Sequence, residues 1–480
     1  MNRRDFIKTA AAGIGSVSVL NVFSQEDEDK KLLRVALIGC GIMGNGVHIP
    51  ALCEEQLVAV VDPDDRQIAK ALKKVQEVKP DYDIAAIQTF QDYRRMFDKM
   101  AKELDAVLIA APNHHHALPA LMAIRRGIHV YVEKPMAHTI AEVRQLTEEA
   151  RRYGVVTQMG NQGQSTEGSS RLCEYIDADA IGQVREVYCW TDRANGLPST
   201  TVRPPVLPVP GNLDWDLWIG PAPFRDYHTG LHPHDWHSWL DFGNGSIGNM
   251  GCHIINYAYR ALKLGKPAAV ELEEVNGGHN DCWPLGTRIR WDFPARGKLA
   301  PVKLYWYAGL GKGKPFNEHT VEGIYKHVPR EFGNRPPICA EVEKKYNREL
   351  TDEGSLFIGD KGIMTMGRHG EGCRMIPEEA HQAFPSPPKT LRRVKGTHQA
   401  DFFRACRGGE PAASNFDHAG PLAELVLLGN IAVRAGQGRR IEWDSAAMRC
   451  TNIPELNRYL KIESRDGWKW SKAVTESGTG

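Results

Sequence analysis

The sequence predicts an α/β protein: an N-terminal doubly wound, mainly parallel sheet, then an α+β domain with a large, open, mainly antiparallel sheet. Three observations carry this. The near-continuous apolar run Leu32 to Ile38 leads straight into a glycine-rich turn, as a strand covered on both faces does before a helix. Apolar strand-like runs then alternate with helical stretches as far as Met159. Beyond about Gly160 the rhythm changes to segments of alternating polarity. The boundaries read as 1–30 for a leader and linker, 31–158 for the parallel domain and 159–475 for the second domain. With 480 residues, the chain is long enough for two or three domains of about 150 residues. Sixty Lys and Arg against 59 Asp and Glu leave a net charge of +1, which gives nucleic acid no electrostatic footprint. No apolar run approaches the roughly 20 residues of a membrane helix, so no stable span is expected.

The leader opens with Arg3 and Arg4, followed by an uncharged stretch from Thr9 to Phe23. This looks like a twin-arginine export signal, which places the mature protein in the periplasm. Cleavage is expected near Ser24, and the acidic Gln25 to Asp29 segment reads as a solvated linker. The ten cysteines form no C-x-x-C pair and no zinc-like spacing, so they are expected to be mostly free and buried. A protein folded before export tolerates that arrangement.

Gly39-Cys40-Gly41-Ile42-Met43-Gly44 forms a G-x-G-x-x-G on the first strand-to-helix turn. Gly39 permits the tight turn, Gly41 lets the backbone approach a pyrophosphate, and Gly44 allows close helix packing. Ile42 and Met43 supply helix N-terminal amides for the anion. A second strand, Leu57 to Val61, ends at Asp62, placed to bind an adenosine ribose and to favour NAD over NADP. Arg66 nearby softens that preference, leaving NADP as the alternative. Pro50 shortens or kinks the first helix. The strand Ala106 to Ala110 delivers Pro112, Asn113 and a histidine run ending at His116; the strand His129 to Val132 delivers Glu133-Lys134-Pro135. After a helix over about 140–153, the strand Val155 to Met159 delivers Asn161 and Gln162. All three clusters fall at the carboxyl ends of strands, where doubly wound sheets bind ligands.

The glycine turn, Pro112-Asn113-x-x-His116, Glu133-Lys134-Pro135 and Gly245-x-x-x-Asn249-x-x-x-His253 together resemble the Gfo/Idh/MocA oxidoreductases, mostly NAD(P)-dependent enzymes of sugars and polyols. The resemblance covers nearly all of the chain after the leader. It implies that Lys134 contacts the reacting hydroxyl beside a sharp turn at Pro135, often cis. It also implies that His253 assists proton transfer, and that the protein associates as a homodimer or homotetramer through the C-terminal sheet. Asn249 stands where the family usually has aspartate, and Asn256 replaces another. An amide orients an imidazole but cannot offset its charge, so His253 should be harder to protonate.

In the second domain, strands are expected over 183–190, 269–275, 287–293 and 301–307, with a helix near Ala419 to Ala435 returning between the domains. One sheet face should cover helices, while the other needs a partner. The aromatic stretch from Trp215 to Trp239 suits a carbohydrate pocket, with His232, Trp236 and Trp239 as substrate contacts. Its histidines match no metal signature, and no metal is expected. The residues past Val474 read as loose. Three readings follow. The first is a carbohydrate dehydrogenase holding NAD tightly. The second is a glycoside hydrolase or lyase that cycles bound NAD through oxidation, elimination and reduction. The third is a binding protein that keeps the fold without the chemistry.

Overall fold

A computed structural model describes residues 31–197, 199, 201–309 and 333–469. The twin-arginine segment and the tail past Val474 lie outside these residues.

Six parallel strands form the first sheet: β1 Arg34–Ile38, β2 Gln56–Val61, β3 Gln88–Phe90, β4 Ala106–Ile109, β5 His129–Val132 and β6 Thr157–Met159. Their order is β3-β2-β1-β4-β5-β6, so the direction in which successive strands are added reverses between β1 and β4. That switch point opens a crevice at the strand ends. Every residue of β4 is buried, as helices on both faces require. The helix Ile140–Tyr153 begins with a capping box between Thr139 and Glu142 and stops at Gly154 in a left-handed conformation. After the glycine turn the chain widens into a π turn, Gly44–His48, and Pro50 falls in the short helix Ile49–Leu52 that follows.

The second sheet has nine strands: β7 Val184–Thr191, β8 Ala269–Asn276, β9 Gly286–Phe293, β10 Val302–Ala308, β11 Gly354–Gly359, β12 Ile363–Gly367, β13 Arg374–Ile376, β14 Ile441–Asp444 and β15 Arg449–Cys450. The order is β13-β12-β11-β7-β10-β9-β8-β14-β15. β7 and β10 are parallel and the other pairs antiparallel. One face packs on the helices Cys252–Ala261 and Phe416–Ala435, with Trp291 and Trp306 buried between. Gly429 permits this, since a Cβ there would lie 2.7 Å from the Trp291 ring.

The opposite face, for which the sequence predicts a partner, is part covered and part charged. The helix Pro337–Tyr346 covers Trp190 and Tyr307 through Cys339 and Val342. Along β8 and β9 the face carries a charge ladder in which Arg290 pairs with Glu271, Glu273 and Asp292, and Arg288 with Glu274.

Residues 192–243 leave the end of β7 as an insertion with its own core, including Leu197, Trp215, Trp218, Trp239 and Phe242. It docks on the first domain beside β2. The amide of Asp65 donates to the Asn212 carbonyl at 2.9 Å, and that of Asp214 to the Pro63 carbonyl at 2.9 Å. The last described segment also returns. Trp468 is buried beneath the Arg94 guanidinium, 3.8 Å from the ring centre. All ten cysteines are free thiols. No helix among the described residues is long and apolar enough to cross a membrane.

Candidate active site

Each glycine of the turn answers a separate steric demand. Gly39 has φ +94, and a Cβ on it would sit 2.5 Å from the backbone of Ala110 and Ala111. A Cβ on Gly44 would meet the Gly39 carbonyl oxygen at 2.2 Å. Gly41 differs: nothing lies within 4 Å of its would-be Cβ. That open face is where a pyrophosphate could approach the backbone. At the end of β2, Asp62 accepts from the Cys40 amide at 2.8 Å and from the Asp64 amide at 2.9 Å. Burial pushes its carboxyl up to about 7 against these two bonds. Asn113, at the end of β4, keeps a buried Oδ1 without a hydrogen-bond partner. An open glycine face, a carboxylate at the second strand and an orphaned amide oxygen at the fourth fit a dinucleotide laid across the switch point.

The same cleft continues to Lys134, whose peptide bond to Pro135 is cis. Its Nζ donates to Asn249 Oδ1 at 2.7 Å, and Asn249 Nδ2 donates to Asn195 Oδ1 at 2.7 Å. Ser246 fixes this far wall: its hydroxyl donates to the Arg193 carbonyl and accepts from the Asn195 amide. Burial lowers the Lys134 pKa, and the nearby Glu133 charge opposes the shift. Glu133 itself lies deeper, 3.1 Å from His48 Nε2 and 3.2 Å from Gln162 Nε2. Burial pushes its carboxyl up, but the His48 bond and the His48 and Lys134 charges outweigh it, so Glu133 stays below the usual range. Gly160 makes room, since a Cβ there would meet Glu133 Oε1 at 2.4 Å.

Gly39, Gly41, Ile42, Met43, Asp62, Pro112, Asn113, His116, Glu133, Lys134, His232, Trp236 and Asn249 line one cleft. Other residues singled out in the sequence lie outside this lining, in surroundings of their own. Asn161 ties the end of β6 to the helix Cys252–Ala261, accepting from the Ser414 hydroxyl at 2.5 Å and donating to the Cys252 carbonyl at 3.3 Å. Gln162 supports Glu133 rather than reaching the cleft. Arg66 pairs with Asp64. Trp239 is buried in the insertion core, donating to the Gly230 carbonyl at 2.8 Å. His253 is buried off the cleft, its Nδ1 unpartnered and its ring 5.2 Å from that of His369. Burial, then the Lys134 charge, holds it well below its ordinary pKa.

Histidines also join the two domains. His114 and His115 each place Nε2 against the Trp218 carbonyl, at 3.0 and 2.9 Å. His116 lies between the carbonyls of Pro135 and Ala111, 2.7 Å from each. His232 lines the cleft but also reaches Asp64 Oδ2 at 2.8 Å. Sequence reasoning missed Arg193, His237, Tyr93 and Trp468 as cleft walls. No spacing rule marks them, because separate loops bring them in. Among the described residues, no three His, Cys, Asp or Glu side chains gather as a metal would need.

Comparison with known proteins agrees with this architecture. Residues 33–161 match the family model "Oxidoreductase family, NAD-binding Rossmann fold", and residues 188–294 match "Oxidoreductase family, C-terminal alpha/beta domain". The chain is 31 % identical over 165 residues to D-glucoside 3-dehydrogenase of Escherichia coli (strain K12), covering 34 % of this chain and 43 % of that protein. It is 30 % identical over 297 residues to the rhizopine catabolism protein MocA of Rhizobium meliloti, covering 61 % of this chain and 81 % of that one. In fold it resembles the crystal structure of aldose-aldose oxidoreductase from Caulobacter crescentus complexed with glycerol. There the TM-score is 0.54 at 17 % identity, over 86 % of this chain and all of that one. On these matches and the fold they share, the chain belongs to the Gfo/Idh/MocA family of NAD-binding oxidoreductases.

Proposed function

We propose that this protein is an NAD-dependent oxidoreductase acting on a hydroxyl of a sugar, polyol or glycoside. The observation that carries this reading is the placement of Lys134 and Asn249, 2.7 Å apart, in the cleft that also holds the open face of Gly41. The names of D-glucoside 3-dehydrogenase and aldose-aldose oxidoreductase support the substrate class.

A bound nicotinamide dinucleotide supplies the hydride acceptor. Gly39, Gly41 and the amides of Ile42 and Met43 would hold its pyrophosphate, and Asp62 its adenosine ribose. The Asp62 carboxylate would repel a 2′-phosphate, which favours NAD over NADP. Lys134 positions the substrate hydroxyl and takes its proton as the C–H bond breaks. Burial favours the neutral amine that this step needs. Asn249 aims that amine without adding the negative charge that would keep it protonated. Trp236 offers an apolar face to the ring of the substrate.

The insertion fastened over the β2 end supports tight retention of the dinucleotide. The twin-arginine leader fits export of the loaded protein to the periplasm, and the open part of the second sheet fits association with a second copy.

Purified protein should release NAD on denaturation and form NADH with members of a sugar and glycoside panel. Lys134→Met should lower turnover at least about a thousandfold while leaving the nucleotide content unchanged. Protein that binds no nicotinamide nucleotide, or a Lys134→Met variant with full turnover, would overturn this reading.

A further inference from the structure

At the Lys134 end of the cleft the fixed positive charge is the Arg193 guanidinium, answered by one shared carboxylate, Glu353. The carboxylates lining the cleft are Asp62 and Asp92, at the dinucleotide end, and Glu133, already bonded to His48. Facing Lys134 instead are Asn249, His237 and Arg193. Arg193 follows β7 by two residues, and its carbonyl is pinned by Ser246, so the root of the side chain is fixed. The side chain itself is half exposed, and its ion pair among the described residues is a loose 3.5 Å contact between Nε and Glu353 Oε1. That carboxylate is already shared, since Thr191 and Arg368 both donate to it. His237 brings no compensating charge. Burial, with the His234, Lys134, His116 and Arg193 charges behind it, holds its pKa well below the ordinary value.

Asn249 gains a reason from this. A carboxylate 2.7 Å from Lys134 would keep the amine charged and would itself repel an anion entering beside Arg193. An amide keeps the hydrogen bond and removes the repulsion. We infer that the substrate is itself an acid, a sugar carboxylate of the uronate type, whose carboxylate is received by Arg193 while Lys134 addresses a ring hydroxyl. Guanidinium geometry suits this, because its planar fork matches a carboxylate with two parallel hydrogen bonds. The inference rests on the reading of the cleft as a carbohydrate oxidoreductase site, and it adds the class of carbohydrate.

Binding tests it without turnover. The NAD-loaded protein is titrated calorimetrically with D-glucuronate and with D-glucose, which differ only at the C6 carboxylate. Glucuronate should bind at least about tenfold more tightly, and its advantage should shrink as salt is raised. Arg193→Gln should remove most of that ratio, and Asn249→Asp should narrow it by repulsion, with the circular dichroism of both variants unchanged. Glucuronate binding no tighter than glucose, absent binding included, overturns the inference, as does a ratio unmoved by Arg193→Gln. Failure of the broader reading looks different: a protein that releases no nicotinamide nucleotide on denaturation.

Discussion

Asn249 shows how one atom sets the behaviour of a neighbour. Its amide oxygen holds Lys134 Nζ at 2.7 Å without offering charge, so burial, the largest influence, lowers the lysine pKa against the opposing Glu133 charge. Asn249→Asp should raise the lysine pKa and move the acidic limb of the pH–rate profile upward by about one to two pH units. Profiles of kcat/KM for the two proteins check this, and a limb that stays in place would detach Lys134 from the proton step. Much of this scale is legible in sequence. The glycine turn, Asp62 and Lys134 sit at fixed distances from strands that their own composition announces, while Asn249 is reached through the family resemblance. Arg193 is not legible, because an arginine two residues after a strand is ordinary until Ser246, from another loop, fixes its backbone. Trp239 misleads for a related reason: an aromatic residue reads alike whether it faces a sugar or the core of an insertion.

Among the elements, the insertion is the least predictable and the most consequential. Its attachment centres on Asp64, which caps the helix Asp65–Val78, pairs with Arg66, and receives His232 at 2.8 Å and Asn212 at 2.6 Å. Burial pushes this carboxyl up, but the bonds from Arg66, His232 and Asn212 prevail and bring it down to about 2. Its folded pKa therefore lies below the unfolded value. The stabilisation is whole above about pH 4 and is lost as pH falls toward about 2. Asp64→Ala should cost about 3 kcal/mol at neutral pH, combining the lost cap with a broken buried pair. Urea unfolding should show that deficit closing as the solution is acidified across this range. His232→Ala removes both a cleft wall and one tie of the insertion to Asp64, so any bound NAD should be lost faster on dilution, read as decay of nucleotide content after gel filtration. The parallel strands β1, β2, β4 and β5 are plain in sequence because both faces are covered, giving unbroken apolar runs. β3 is not, since Gln88-Thr89-Phe90 is a short, largely polar strand at the sheet edge. β11 to β13 elude the same reading, being short strands broken by glycines and charged turns.

For the whole molecule, the order of layers follows from the two sequence rhythms, but the fate of the second sheet does not. The side opposite the core helices carries, beside the helix Pro337–Tyr346, a Tyr188–Tyr305 stack with ring centres 4.8 Å apart, next to the charge ladder of β8 and β9. If a second copy covers this surface, pairing depends on aromatic contact and charge register together, not on a bare apolar patch. Tyr305→Glu should then shift sedimentation toward the monomer while the far-ultraviolet circular dichroism is kept. An unchanged sedimentation coefficient would place the interface elsewhere.

Trp468 forms one wall of the cleft, while the glycine turn that opens it lies more than four hundred residues earlier. On the ribosome, that wall emerges long after the glycine turn. A nascent chain can fold its first sheet well before the compartment closes, so a nucleotide would meet an unfinished vessel until this tryptophan has been made. A chain cut short just before this tryptophan should therefore leave the crevice open on one side.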